Sequence, residues 1–550
     1  MKNTFTIFFL FLCILCFAKA QGEGRYINEL TTSKDNETTI FTDESGQFQI
    51  NVSPQDLVKF KKNGFVHYSD FGARGDGKTD DIKAIIAAHE VANKYKLLVK
   101  ADEGATYYIG GKDLTAIIQT DTDFGTAAFI IDDTDVQNRN AHVFLVNSGL
   151  EPFKPEGLFS LKMNQNKIDI SLPGTCLITV TDSNVKRYIR FGLNQNNGSS
   201  QTDIFVSDKN GNVDMDAPII WDFDQITDIT ALPMDETTLT IKGGRFTTLA
   251  NQAESKYTYY SRGIAIRRSN VLVEGLEHRV TGEKDHGAPY GGFLNIRDCA
   301  YVTVKNTVLT GHKTYRTIGS AGRPVSMGSY DLTVNRALNV SFINCTQTND
   351  IDDRTYWGIL GSNYSKNLVY ENCTLSRFDA HMGVANATIR NSTLGHMGIN
   401  AIGFGTFIVE NSTIRGSSLI NLRSDYGSTW KGEFIIRDCV FVPSGGRTAS
   451  ASLINGRNSG QHDFGYTCYM PEQIVIENLR IDDSNHPDDY NGPAIFSNIN
   501  PEMTDDSFVE KYPYILTKEV ILKNVTTTSG KKLRISNNPY MFRNVTVNNE

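Results

Sequence analysis

Arg354, Tyr356, Arg377, Asp379 and His381 crowd one stretch of the chain, and together they hold the groups that an elimination beside a carboxylate requires. Such a reaction needs a base for the proton next to a uronate carboxyl, an acid for the departing oxygen, and a cation to steady the enolate-like intermediate. His381 and Tyr356 suit base and acid in either order, and Arg377, Arg354 or Arg316 suits the carboxylate. A tyrosine flanked by arginines also ionises more readily. Around these, Lys313, Arg316, Arg323, His286, Tyr290 and Arg423 are expected to bind substrate, since a guanidinium pairs bidentately with a carboxylate or sulfate. The plainer reading is that the charges pair among themselves, with Arg354 and Asp379 as a cross-strand salt bridge. For the cluster as a whole, cations outnumber carboxylates, which points to a binding cleft.

Placing these residues together depends on a strand repeat. The segments PYGGFL, VSMGSY, YWGIL, HMGVA and AIGFG align on Gly292, Gly328, Gly358, Gly383 and Gly403. Apolar flanks such as Trp357 with Ile359 and Met382 with Val384 are expected to face inward. Tyr290, Ser326, Tyr356, His381 and Ala401, two residues before each glycine, then face outward. Neighbouring coils stand ~4.8 Å apart, so Tyr356 and His381 are expected side by side.

A second alignment fixes the architecture. VTVKNTVL, VSFINCTQ, LVYENCTL, ATIRNSTL, FIVENSTI, FIIRDCVF, IVIENLRI, VILKNVTT and YMFRNVTV put Asn306, Asn344, Asn372, Asn391, Asn411, Asp438, Asn478, Asn524 and Asn544 in register. A β-rich run before each Asn and a shorter apolar run after it predict stacked parallel strands joined by tight turns, a parallel β-helix. Cys345, Cys373 and Cys439 follow the ladder residue where other units carry Ser, Thr or Val, so they are expected as reduced, inward-facing thiols. With no CxxC pair, a zinc site is not expected.

At 39% hydrophobic and 21% charged, with a net charge of −8, the 550 residues have the composition of a folded soluble protein with no call for nucleic acid. Residues 1–20, MKNTFTIFFLFLCILCFAKA, have a basic start, an apolar stretch and a small-residue end, which predicts a cleaved signal and a secreted or periplasmic product. No second apolar run is long enough to span a bilayer, and Cys13 and Cys16 lack the small residues before them that a lipid anchor wants. A monomer is expected.

Residues 64–109 read as strand, glycine-rich turn, helix and strand, with Thr79, Asp80 and Asp81 as capping groups and Ile82, Ile85, Ile86 and His89 on one helical face. Phe71, Gly72, Ala73, Gly75, Asp76, Gly77, Thr79, Asp80 and Asp81 match an FGAxGDGxTDD segment. Here the chain resembles the pectate lyase superfamily, whose members often open with that segment before the helix that caps their β-helix. The resemblance implies an all-β, right-handed parallel β-helix and a carbohydrate-active protein, without choosing among lyases, polygalacturonase-type hydrolases and phage tailspikes.

Inverting hydrolysis needs two carboxyls ~6.5–9.5 Å apart, which Asp379 with Asp352 or Asp353 would supply. Asn349-Asp350, Asp379, Gly395-His396-Met397 and Arg423 echo the order of the polygalacturonase motifs. Trp357 and Met382 stand where that family's first catalytic Asp would fall, a departure from its pattern. Asp350, Asp352 and Asp353 offer a Ca²⁺ site, as in some lyases of this fold, although no cofactor is required.

The expected organisation is a signal at 1–20, an N-terminal segment and cap at 21–115, first coils at 116–152, an inserted antiparallel β subdomain at 153–235, and the main β-helix at 236–550. The expected function is a carbon–oxygen lyase acting on a uronate-containing anionic polysaccharide or oligosaccharide, by chain cleavage or by dehydration of a terminal uronate. A glycoside hydrolase using paired Asp and a non-catalytic glycan-binding solenoid are the alternatives.

Overall fold

The computed structural model describes residues 29–32, 38–42, 48–111, 113–255, 259–284, 287–457 and 462–549. His286 and the expected signal at 1–20 lie outside the described residues. From Phe65 to Asn549 the chain winds as parallel strands paired coil on coil, a parallel β-helix.

From Gly125 to Asn524 each coil turns through one residue in the left-handed region. Asn306, Asn344, Asn372, Asn391, Asn411, Asp438, Asn478 and Asn524 all have φ between 48° and 54°, and strand pairing stacks them one above another. Below them Gly125, Gly243 and Gly275 continue the same column. This conformation costs an ordinary L-residue ~1–2 kcal/mol, least for Gly and then Asn. Asparagine adds a link between coils: Asn344 Nδ2 donates to Asn306 Oδ1 at 3.0 Å, Asn478 to Asp438 at 2.8 Å, and Asn524 to Asn478 at 2.9 Å.

Two residues before this corner, Val273, Val304, Phe342, Tyr370, Ile389, Val409, Ile436, Ile476 and Leu522 form a buried column. The residue next to the corner faces solvent and pairs charges across coils, as in Arg390 with Glu371 at 2.7 Å and Lys523 with Glu477 at 2.8 Å. One residue after the corner, Cys345, Cys373 and Cys439 are buried free thiols that donate to carbonyls of the preceding coil, Val304, Phe342 and Val409.

Asn544 does not belong to the column. Glu519 pairs with Thr546, so Asn544 falls in the turn before the final strand Thr546–Asn549. Its segment copies the apolar spacing of a coil, yet Met541 and Phe542 plug the end of the core instead, with Phe542 stacked on Phe496 at 4.1 Å.

At the other end, the helix Ile82–Tyr95 seals the core with Ile82, Ile85, Ile86 and His89 buried. Asp80 Oδ1 accepts from the Ile82 amide, while Asp81 turns back to accept from Arg74 and Gly75. A shorter helix, Pro54–Asn63, is capped by Ser53, whose hydroxyl accepts from the Asp56 amide at 3.0 Å.

Between the first coils and the main stack, Cys176–Arg187 forms the centre of an antiparallel sheet with Ser199–Ser207 and Asp228–Pro233. One face covers its own core of Ile178, Val180, Phe205 and Phe223. The other packs Leu177, Ile204 and Val206 on Ala300 and Leu338 of the solenoid. Lys366, fully buried on a solenoid strand, crosses that seam to Asp203 at 2.7 Å and to the Pro218 carbonyl. The sheet therefore leans its Arg187–Arg190 corner on coils 402–466.

Replacing Asn478 by Val is expected to destabilise the protein by about 1–3 kcal/mol, through the left-handed backbone and two lost amide links, and Asn478→Gly by clearly less. Denaturant midpoints of the two variants measure this; equal losses would mean that backbone conformation is not what selects the residue.

Candidate functional site

Strand Thr374–Arg390 supplies the centre of the site. Phe378 and Ala380 point into the core, so Arg377, Asp379 and His381 lie on its outer side. Pairing carries the Asp379 position to Asn400, then Asn421, then Asn455 in successive coils. Their amides form a ladder, with Asn421 Nδ2 donating to Asn400 Oδ1 at 2.9 Å and Asn455 Nδ2 to Asn421 Oδ1 at 3.2 Å.

Across this face runs an alternating line of charge. Arg377 Nη2 meets Asp379 Oδ1 at 2.5 Å, and Arg423 Nη1 meets the same oxygen at 3.5 Å. Arg423 also grips Asp425 through Nη2 at 2.6 Å and Nε at 3.1 Å. From the inserted sheet Arg190 Nη2 reaches Asp425 at 2.9 Å. The line holds three guanidiniums against two carboxylates. Burial works to raise the Asp425 carboxyl, but the charge and hydrogen bonds of Arg423, with Arg190, hold it well below the usual carboxylate range.

A cavity of about 290 Å³ opens here, lined by Trp357, Arg377, Asn400, Asn421, Asn455, Arg423, Asp425 and Arg457 among others. Arg377 is 1% exposed, and its Nε and Nη1 find no hydrogen-bond partner among the described residues. The Trp357 Nε1 is likewise buried without one. Leaving a buried donor unmade costs ~1–3 kcal/mol, which an acceptor arriving in the cavity would recover. The guanidinium of Arg377 is further held between the rings of Trp357 and Tyr330, at 5.8 and 6.0 Å from their centroids.

His381 donates from Nδ1 to Asn363 Oδ1 at 2.8 Å, which leaves Nε2 with its lone pair and no partner. Desolvation, then the charge of Arg423, pulls its pKa down to about 3, so the ring is neutral.

Of the residues expected in the site, His381, Arg377, Asp379 and Arg423 come together. Tyr356 is not the strand neighbour of His381. Asn363 pairs with Met382, so Leu360–Asn363 runs beside the histidine, while the Tyr356 backbone bridges Lys313 on the preceding loop. The expected salt bridge between Arg354 and Asp379 is replaced by Arg377 and Arg423; Arg354 is exposed in the 350–356 turn. Tyr290 faces inward, 4% exposed, with its hydroxyl 3.2 Å from Asp133, and Ala401 is in the core. Trp357 and Met382, expected inward, are only half-buried. The glycine alignment fails because the strands bulge: Gly291 pairs with Tyr330, and Gly403 with Val384.

Arg316 and Arg323 stand exposed on the hairpin of Tyr315–Ile318 and Pro324–Met327. Lys313 is bound to Glu283 through its amide and its Nζ. In the acidic turn Asp352 pairs with Arg415 at 2.6 Å, Asp353 accepts from Thr355, and Asp350 accepts from the Asp352 amide. No group of three or more His, Cys, Asp or Glu side chains placed to hold a metal occurs among the described residues.

Sequence spacing did not reveal Asp425, Arg190, Arg457, Tyr330 or the amide ladder. An apolar-polar-apolar rhythm at INAI, LINL and LING was the available sign of the ladder.

The stack of closed parallel coils defines a right-handed parallel β-helix protein. No family model matches the chain. A capsule depolymerase specific for KL64, from a Klebsiella phage, is 30% identical over 139 residues, which cover 22% of this chain and 13% of the relative's length. Among solved structures, the tailspike of Pseudomonas phage phi297 matches with a TM-score of 0.52 at 13% identity over 84% of this chain and 80% of that one. The tailspike of Acinetobacter baumannii bacteriophage AP22, solved in complex with A. baumannii capsular saccharide, gives 0.50 at 10% identity over 92% and 81%. At these identities the likeness is one of fold.

His312, next to Lys313 in the chain, is buried. Its Nε2 lies 3.1 Å from Asp331, which His278 Nδ1 also meets at 2.7 Å, and its Nδ1 lies 3.4 Å from Glu283. Desolvation alone would lower its pKa; the hydrogen bonds and charges of Asp331 and Glu283 overcome that and raise it to about 9. A pKa above the unfolded value of ~6.5 means stability that is complete below that pH and lost as pH rises through about 9. Thermal melting from pH 6 to 10 is expected to show this fall, and His312→Gln to flatten it; parallel curves would rule out His312 as the titrating group.

Proposed function

We propose that this chain binds and breaks an acidic polysaccharide, holding a uronate carboxylate against Arg377 and Arg423 and cleaving by β-elimination. The unpartnered nitrogens of Arg377 carry the reading: a buried guanidinium with Nε and Nη1 both unsatisfied, beside the free Trp357 Nε1, suits an arriving carboxylate. The asparagine ladder beside it suits sugar hydroxyls. The depolymerase likeness, limited to part of the chain, supports a polysaccharide partner.

In this reading Nε2 of His381 takes the proton from the carbon next to the carboxylate. The arginines stabilise the enolate-like intermediate, and the C–O bond to the leaving oxygen breaks with protonation of that oxygen. An imidazole with a pKa of about 3 is a weak base, because burial and then the charge of Arg423 oppose its protonation. A bound carboxylate offsets that charge and strengthens the base. Tyr330, whose ring centroid lies 6.0 Å from the Arg377 guanidinium, is the proton donor in this reading. Tyr356, on the loop that carries Trp357, is the alternative donor. Loss of a ring hydroxyl from a terminal uronate uses the same groups.

A hydrolase reading has one observation in its favour: Asp379 and Asp425 flank Arg423 from two sides. Against it, the depressed Asp425 carboxyl is ill suited to donate a proton. Residues 1–20 support an exported protein, and no helix among the described residues is long and apolar enough to cross a membrane.

Incubating the purified protein with uronic acid polysaccharides and their oligomers is expected to produce absorbance near ~232 nm from an unsaturated uronate, with product mass separating cleavage from dehydration. His381→Ala is expected to lower turnover ~10²-fold or more while polymer still binds. Shortened products without absorbance would move the chemistry to Asp379 and Asp425.

A further inference from the structure

A second cavity, about 280 Å³, lies where the inserted sheet meets the solenoid, and the elimination chemistry above does not use it. Its walls carry Trp221 from the insertion and Phe404, Tyr466 and Tyr469 from the coils, all half-buried. Trp221 stands edge-on to Phe404 at 4.9 Å and is backed by Arg187, whose guanidinium carbon is 4.7 Å from the indole centroid. Arg187 is itself fixed by two bonds to Gln201 Oε1, at 3.0 and 2.8 Å, so the indole is held in place and is not a loose surface ring. Lys431 adds an ammonium 5.2 Å from the Tyr469 centroid. Tyr188, only 3% exposed, lines the same cavity, and its hydroxyl finds no partner among the described residues.

The two cavities share a strand. Thr393–Glu410 carries Asn400 in the first and Phe404 in the second, four residues or ~13 Å apart. Between them stand Ile402, Tyr188 and Tyr426, packed as one cluster. A polymer lying on the first cavity and continuing along the strand direction meets fixed aromatic faces and a cation.

We infer that this seam is a second glycan subsite, which stacks sugar rings of the same acidic polymer on Trp221 and Tyr469 and binds an acidic group with Lys431. The inference rests on the acidic-polysaccharide reading. Its residues touch no reacting atom; they position the chain.

The test is steady-state kinetics on the full chain with the uronate polysaccharide it turns over and with the shortest oligomer of that polymer still processed. For Tyr469→Ala and for Lys431→Ala, KM for the polymer is expected to rise about tenfold. KM for the short oligomer is expected to rise less than twofold, with kcat for the polymer retained. Trp221→Phe, which keeps the packing, serves as the third variant, and its polymer KM is expected to rise by a smaller factor. Equal changes on polymer and oligomer, or none on either, would overturn the second subsite while leaving the first site standing. A wild-type protein that neither binds nor processes any uronate polysaccharide would overturn both, and affinity electrophoresis of Arg377→Ala in gels containing the polymer separates the cases. Retardation of that variant, lost on adding Tyr469→Ala, is the expected result.

Discussion

One backbone conformation recurs at one corner of the coils from Gly125 to Asn524, and the rest of the molecule is hung from it. An L-residue resists the left-handed region, so the column accepts Gly in the first coils and Asn or Asp above them. Once that corner is fixed, the alternation of a strand decides which side chains meet inside and which meet on the outer face. The Val273-to-Leu522 column and the Asp379-to-Asn455 column are thus consequences of the same turn, one apolar and closed, the other polar and open.

On the open face the charges are arranged so that no carboxylate stands alone. Asp379 and Asp425 are each shared by two arginines, which keeps the arginines in fixed directions and holds the Asp425 carboxyl well below the usual carboxylate range. The surplus lies in Arg377, which lines the cavity and whose Nε and Nη1 have no hydrogen-bond partner among the described residues. The inserted sheet contributes to this order from outside the solenoid, through Arg190, and builds the wall of the second cavity with Arg187, Tyr188 and Trp221.

The Asn ladder was legible because the conformational demand is local: few residue types tolerate the corner, so spacing alone recovers the register from Asn306 to Asn524. Asn544 shows the limit, since the final segment keeps the apolar rhythm after the coils have ended and plugs the core instead. Glycines inside strands carried no such information. They sit at bulges and close approaches whose position shifts from coil to coil, so Gly328 and Gly358 marked no common height, and Tyr356 was set beside His381 where Ser362 and Asn363 stand. Arg377, Asp379 and His381 were found because they share one strand. Asp425 and Arg190 were not, because the contact that joins them spans 235 residues and depends on how the insertion docks.

The Lys366–Asp203 pair sets how that docking behaves. Both groups are buried at the seam, and a buried pair opened to leave one charge unmatched is costly, by ~3–5 kcal/mol when one partner is removed. The insertion is therefore bolted to the solenoid as part of the fold, with its arginines already in position. Ordering of the site is completed during folding, so a ligand of the kind proposed would find little conformational entropy left to lose. Under that reading, a rigid trough would discriminate between glycans by how long each one stays.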